Sequence, residues 1–508
     1  MNQRTFQSLT VAIAMFGTAV LIALILLRTD GALIYTLDDP YIHLALAQEI
    51  LRGGYGINPG EAASPSSSIL YAPLLAPLLA LGFGDWSPLI LSWTGMGVAL
   101  WLLAGAAAPL VAGSRIFAIL IALVLPLSIN GFALPLTGME HPIHAAATVA
   151  VILGIWHSAQ GRVPGWLIPA ILLTAAIRFE GYGLAIAAIL TLLALRQTRA
   201  ALITLLLLTA LTLAYAATMH ALGLPPLPSS VMVKSQVSAA AADADALGLM
   251  RRLLENPVQA LSNRWGLIFA AASINLAALT LAPRVTRQTR AVAFMGFSVL
   301  AAHLLVGRYG WFGRYEVYAV AALLCTCLLL LQSFGRGATV LAFVLLTYSD
   351  PGYLLVTTQT PAAALSIHEQ QHQMHRFATR YFPHPVAVND LGWVAYDNDQ
   401  RVLDLWGLGS EAARRLTRQS GRTTDTLRQL TAGETTYAMI YDIAFAGAIP
   451  SEWCRIATLT TSRVIAASDE VAFYLLDTTL EAPMRAALAE FAASLPPGAT
   501  LTTLNCEG

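Results

Sequence analysis

Two adjacent carboxylates, Asp38 and Asp39, open the stretch LDDPYIHLALAQEILRGGYGINPG, residues 37–60, directly after a strongly apolar segment. Like charges this close raise the pKa of one of the pair. A carboxylate poised in that way can accept a proton near neutral pH. An isolated Asp in the same place would be a solvated stop at the end of a membrane helix. Pro40 restricts Asp39 to an extended conformation, which puts the pair on a turn leading into the helix YIHLALAQEILRGG. That helix sets Tyr41, Leu44 and Gln48 on one side and ends at Gly53 and Gly54. It is too short to cross a bilayer. A second cluster, HEQQHQMH at 368–375, places His368, His372 and His375 on one helix face. That spacing is compatible with metal ligation, but Glu369 is the one carboxylate nearby, so the expectation is a polar surface helix without a metal.

These residues must be positioned by a membrane protein. The chain has 508 residues, 56% hydrophobic and 11% charged, with a mean hydropathy of +0.64; soluble domains carry roughly 25% charged residues. A net charge of zero argues against a nucleic-acid partner. Lys234 is the only lysine, and with the high Ala and Leu content this points to a GC-rich bacterial genome. Apolar runs suited to spans lie near 8–27, 87–112, 116–134, 141–157, 165–178, 182–196, 200–222, 265–282, 291–306, 315–333 and 338–356. The first reads as a signal anchor, since its apolar run is long and no small-residue cleavage site follows. Residues 68–83 contain two prolines and read as a helix lying in the interface.

Basic residues are balanced across the loops, so the positive-inside count is nearly even. The carboxylates are not balanced. With the N-terminus inside, the proposed cytoplasmic loops contain no Asp or Glu, and every carboxylate falls outside. Residues 1–356 then form the multi-spanning domain, with a first external loop at 28–86, and residues 357–508 form an external domain. There HPVAVNDLG, QRVLDLWGL, YAMIYDIA, RIATL and EVAFYLLD read as short strands alternating with helical stretches near 411–432 and 481–494, an α/β pattern. Cys325 and Cys327 sit within a span as core residues; Cys454 and Cys506 are candidates for a disulfide in an oxidising compartment.

DDPYIHLALAQEILRGGYGINPGE followed by SPSSSILYAPLLAP resembles the first external loop of the GT-C glycosyltransferases, integral membrane enzymes that use polyprenyl-phosphate sugars. The likeness is to the arabinofuranosyltransferase-like members and, more broadly, to the dolichyl-phosphate-mannose-protein mannosyltransferase-like ones. LTGMEHPIH (136–144), AIRFEGYGLA (176–185), LPPLPSSVMVKSQ (224–236) and VAVNDLGWVAYDNDQRVLDLWGLG are similar to the same family. The resemblance implies a GT-C fold of about eleven spans in the bacterial cytoplasmic membrane, N-terminus inside and C-terminal domain outside. It implies an inverting transfer of a sugar from a polyprenyl-phosphate donor to a hydroxyl of a glycan, lipid or protein acceptor on the outer face. By position Asp38 is then the general base, and Asp39 orients it or holds the acceptor. Ala45 and Leu46 stand where many relatives carry an arginine, so the phosphate contact falls to His43 or to Arg178, Lys234, Arg308 or Arg314. Glu140 and Glu180 are placed to bind the donor's sugar or phosphate, with an Arg178–Glu180 ion pair as the plain alternative, and Ser66, Ser67 and Ser68 to cap the interfacial helix. No cofactor is implied with certainty; some relatives use a divalent cation at the acidic pair and others do not.

Two other classes remain open from the residues alone. A transporter or flippase of lipid-linked sugars would show internal repeats and ionisable groups near mid-membrane, whereas here the ionisable groups gather at the outer edge. A non-catalytic scaffold would be indifferent to replacement of Asp38.

Overall fold

The structure, a computed structural model, describes residues 1–234, 255–332 and 351–506. It is mainly helical. α1 (Gln3–Arg28) leads through the acidic loop into α2 (Asp39–Leu51), α3 (Tyr71–Ala80), α4 (Trp86–Val111), α5 (Arg115–Leu127), α6 (His141–Ser158), α7 (Leu167–Ile177), α8 (Gly181–Ala194), α9 (Thr198–Ala221) and the short α10 (Ser229–Lys234). α11 (Arg264–Leu281), α12 (Arg287–Val306) and α13 (Val317–Leu331) follow. Among the described residues, α1, α4, α9, α11 and α12 are long and apolar enough to cross a membrane, which marks a membrane protein.

Among the described residues, several of the eleven runs form helices shorter than a full span. The runs at 116–134, 165–178, 182–196 and 315–333 become α5, α7, α8 and α13, of 13, 11, 14 and 15 residues, whereas a crossing takes about 20. The causes are local. Beyond Pro126 the chain folds back, with the Gly131 N–H donating to the Pro126 carbonyl at 2.7 Å. Arg178, Phe179 and Glu180 interrupt what would be one apolar run, so α7 and α8 pack against each other across a three-residue turn. The run at 141–157 forms α6, 18 residues containing His141, His144 and His157. The run at 338–356 lies largely outside the described residues. α3 is 10 residues, about 15 Å at helical rise, and too short to cross.

The C-terminal part begins with α14 (Pro351–Glu369), so the boundary expected at 356/357 falls inside a helix. α15 (Gln371–Arg376), β1 (Val386–Val388), α16 (Gly392–Ala395), β2 (Val402–Asp404), α17 (Glu411–Ser420), α18 (Thr424–Thr431), β3 (Tyr437–Ile440), β4 (Cys454–Thr460), β5 (Glu470–Leu475), α19 (Glu481–Ala493) and β6 (Thr500–Thr503) complete it. The five strands read from the sequence all form. They build a mixed sheet in the order β2-β1-β3-β5-β4-β6. β2, β1 and β3 are parallel, with Val386 opposite Val402 and Tyr437; β5, β4 and β6 join antiparallel. β6 escapes a reading by apolar alternation because TLTT has a single apolar side chain. The helical stretch 411–432 is two helices, parted at Gly421 with φ 72°, a conformation favouring glycine.

One apolar core fills the bundle, built from α4, α6, α8, α12 and α13. A second core crosses between domains. It runs from Leu21, Ile22 and Ile25 of α1, through Ile34, Tyr41 and Leu44, to Trp393, Met439, Phe473 and Leu488 of the sheet domain. Each large side chain so buried contributes about 1.5–3 kcal/mol, so the sheet domain is packed onto the bundle rather than tethered to it. Cys454 and Cys506 are joined as a disulfide, with Cα atoms 5.1 Å apart; this ties the chain beyond β6 to β4. Cys325 is buried in the bundle core and Cys327 packs against it. Replacing Cys506 with serine should lower the stability of the sheet domain by about 2–4 kcal/mol, read as an earlier unfolding transition of the full chain that reductant does not lower further.

Candidate active site

Asp38 and Asp39 sit at the start of α2, but not as the sequence suggests. Asp39 is the first helical residue, not an extended one; Pro40 in the first turn lacks an N–H that would have had no helical partner there. Asp38 precedes the helix without capping it. Its carboxylate turns instead to the sheet domain, accepting the Gly392 N–H at 2.7 Å on Oδ2 and the Trp393 N–H at 2.8 Å on Oδ1. α2 is wedged between domains. The Tyr41 ring stacks on Trp393 at 3.9 Å, and Gln48 accepts the Asp397 N–H at 3.1 Å.

The donor pair is held by its own surroundings. Asn389 Oδ1 accepts the Tyr441 N–H at 2.7 Å. Asp390 accepts from the Tyr441 hydroxyl at 2.5 Å and from the Gln371 amide at 2.9 Å. Burial, and then the Asp390 charge, push the Asp38 carboxyl well above the usual carboxylate range, against the pull of its two N–H donors. The first loop also docks on the sheet edge, where Asn58 exchanges two 2.9 Å hydrogen bonds with the backbone of Val402.

Asp39 faces the other way, with 21% of its side chain exposed, and pairs with Arg314. Arg314 is the largest fully buried side chain among the described residues. Its Nη2 also donates to the Tyr315 hydroxyl at 3.0 Å, and the guanidinium lies over that ring at 4.8 Å. Nε and Nη1 are buried and have no hydrogen-bond partner among the described residues. Buried guanidinium N–H groups left open are costly, so they mark a place where an anion would be held. The preceding loop imposes this pose. Gly310, Trp311, Phe312 and Gly313 all have positive φ, between 50° and 76°, an arrangement that L-residues such as Trp and Phe adopt only under constraint. Asn130 donates to the Phe312 carbonyl at 3.2 Å, and Glu316 accepts the Gly310 N–H at 2.9 Å.

Arg178 and Glu180 form the expected pair, bidentate at 3.1 and 2.7 Å. Arg178 Nη1 also donates to Glu140 at 2.6 Å and to His141 Nε2 at 3.0 Å. Four of its five N–H donors are thus committed within the protein. Glu140 is fully buried at the start of α6 and also accepts from Ser67 at 3.3 Å, while His43 Nε2 lies 3.9 Å from its other oxygen. Glu180 keeps 31% of its side chain exposed. Ser68 accepts the Tyr71 N–H at 2.9 Å and so starts α3, as expected of the serine cluster; Ser66 accepts the Ser68 N–H.

The remaining sequence candidates fall elsewhere. Lys234 ends α10, which Ser229 ties to the first loop through Ser64 at 2.9 Å; its side chain lies outside the described residues. Arg308 is exposed. The histidine cluster is not a polar surface helix: α14 and α15 are separate helices broken at Gln370, and His368 and His375 are buried. The rings of His368, His372 and His375 stack in a row rather than converging, with His372 and His375 against Trp393. Burial takes His372 down to about 3 and His375 to about 4, so both are neutral at physiological pH. Among the described residues no three His, Cys, Asp or Glu side chains are placed to share a metal ion. Asp390, Gly392, Trp393 and Tyr315 are the site neighbours that sequence reasoning missed; NDLGW was legible as a turn after a strand, but its partner lies more than 350 residues away.

Glu140→Ala should destabilise the detergent-solubilised protein by about 3 kcal/mol, because it strips a partner from a buried guanidinium. Glu140→Gln, which keeps an acceptor oxygen, should cost clearly less in the same thermal unfolding measurement.

Residues 363–474, from within α14 to within β5, match the model of a family described as a domain of unknown function, DUF8728. The match holds the NDLGW turn and Tyr441. No curated protein matches the chain in sequence.

Proposed function

We propose that the protein is a glycosyltransferase of the membrane that transfers a sugar from a polyprenyl-phosphate donor to an acceptor hydroxyl with inversion. The observation that carries this reading is Arg314: a buried guanidinium with three open N–H groups on Nε and Nη1, paired to a part-exposed aspartate at the polar end of an apolar bundle. A lipid-linked phosphate needs an apolar flank for its tail and fixed donors for its charge at one place. The helix ends carrying Asp39, Glu140, Arg178, Glu180 and Arg314 all meet there, beside the sheet domain.

In this reading the two aspartates divide the work. Both oxygens of Asp38 are taken by backbone N–H groups, so Asp38 anchors the loop, and Asp39 takes the proton. The acceptor hydroxyl gives its proton to the Asp39 carboxylate as its oxygen bonds to the anomeric carbon. The bond from that carbon to the phosphate oxygen breaks, the electron pair leaves with the polyprenyl phosphate, and the open N–H groups of Arg314 meet the charge. Glu180, exposed where Glu140 is not, accepts from sugar hydroxyls. Arg178 orients the two glutamates. The orientation that supports this chemistry is N-terminus inside the bacterial cytoplasmic membrane and sheet domain outside, since the opposite loops contain arginine and no carboxylate.

Asp39→Asn should abolish transfer from polyprenyl-phosphate sugar while leaving the circular dichroism spectrum intact. Arg314→Ala should lower kcat by about 100-fold or more. Full activity of Asp39→Asn would overturn the base assignment. Mass spectrometry of lipid-linked sugars and surface glycans, in cells with and without the gene, should show a donor that accumulates and a glycan that lacks one residue; unchanged profiles would overturn the reading as a whole.

A further inference from the structure

The sheet domain contacts the acidic pair through two consecutive backbone N–H groups, Gly392 and Trp393, one on each oxygen of Asp38. Backbone donors of this kind carry no information about a sugar, but they fix a carboxylate in two dimensions. Trp393 adds a third constraint by stacking on Tyr41, one turn along α2, at 3.9 Å. Behind it, His372 and His375 lie 4.8 and 5.3 Å from the same indole, so Trp393 is held from both sides. Gly392 admits this approach only because it has no side chain: a Cβ there would stand 2.6 Å from the Asp38 carboxyl carbon and would collide with the Asp38 carbonyl. Gly392 is not among the residues of positive φ, so its backbone would accept alanine. What bars alanine is Asp38.

We propose that the sheet domain is a working part of the catalytic centre rather than an appended binding module. Its Gly392–Trp393 segment clamps Asp38 and thereby sets Asp39 against Arg314. Gly392 and Trp393 are positioning residues. They touch no reacting atom and act through the loop they hold. The inference builds on the glycosyltransferase reading, but the clamp itself is testable without it.

Amide hydrogen exchange on the full-length detergent-solubilised protein reads the clamp directly. In Asp38→Ala, protection of a peptide covering 389–396 should fall at least tenfold relative to wild type, and in Asp38→Asn, which keeps one acceptor oxygen, it should fall less. Unchanged protection in Asp38→Ala, with the rest of the sheet domain equally unchanged, would overturn the clamp whether or not the protein transfers sugar. Steady-state kinetics reads the positioning. A shift of about 1 Å in a reacting group costs about 100-fold in rate, so Gly392→Ala should lower kcat by that factor with KM for the acceptor unchanged. Trp393→Phe, which retains the N–H and a stacking ring, should recover most of the rate lost in Trp393→Ala. A raised acceptor KM at constant kcat would instead make the domain a binding module and overturn the proposal. If wild type transfers no sugar, the exchange arm still decides the clamp, and only the function reading fails.

Discussion

The rest of the structure depends on one carboxylate bridging two domains. Asp38 is far from Gly392 and Trp393 in sequence, yet it satisfies both of their N–H groups. Two N–H donors on one carboxyl fix the contact at both oxygens, and leaving either side unmade would strand a buried polar group. The apolar core that runs from α1 into the sheet domain brings the partners together, and the hydrogen bonds give the contact its register. Without that core the first loop, which holds only the short helices α2 and α3, would have nothing to pack against at the bundle end. With it, the loop has a wall.

The same logic separates two arginines of similar burial. Arg178 lies between two glutamates and a histidine and spends four donors on them, which stabilises a turn joining two half-length helices. Arg314 makes one ion pair and one hydroxyl contact and holds three N–H donors in reserve. Placing a guanidinium in the interior is expensive, and a strained loop of left-handed residues keeps it there. Strain and open donors at one residue point to a ligand, whereas full satisfaction at the other points to architecture. Charge and residue type are identical; the hydrogen-bond inventory distinguishes them.

Much of the candidate site was readable residue by residue. The acidic pair, Glu140, the Arg178–Glu180 pair and Arg314 could all be marked because polar residues in a chain this apolar stand out against their background. Five strands of the sheet were readable from apolar runs bounded by turn residues, and Cys454 with Cys506 was readable as a candidate pair. The errors have physical causes. Hydropathy counts apolar residues and does not give the length of helix they form, so runs such as 116–134 and 165–178 read as spans where the helices have 13 and 11 residues. HEQQHQMH looked like a solvated face because local composition does not show that Trp393 and a neighbouring helix cover it. Motif position carries no information on where the Asp38 oxygens point, so their hydrogen bonds to Gly392 and Trp393 are not legible in it.

Amino-acid order alone settles the class of this protein: its apolar content demands a membrane, and its pattern downstream demands a sheet. Those are local or additive properties, and they survive without knowledge of contacts. Which aspartate is clamped and which faces solvent, which arginine is spent and which is open, and whether the sheet domain stands apart or completes the site are different in kind. They follow from pairings between residues such as Asp38 and Gly392, or Asp39 and Arg314, that are distant in sequence. Only the folded chain, closing its cores, brings those groups within hydrogen-bonding distance.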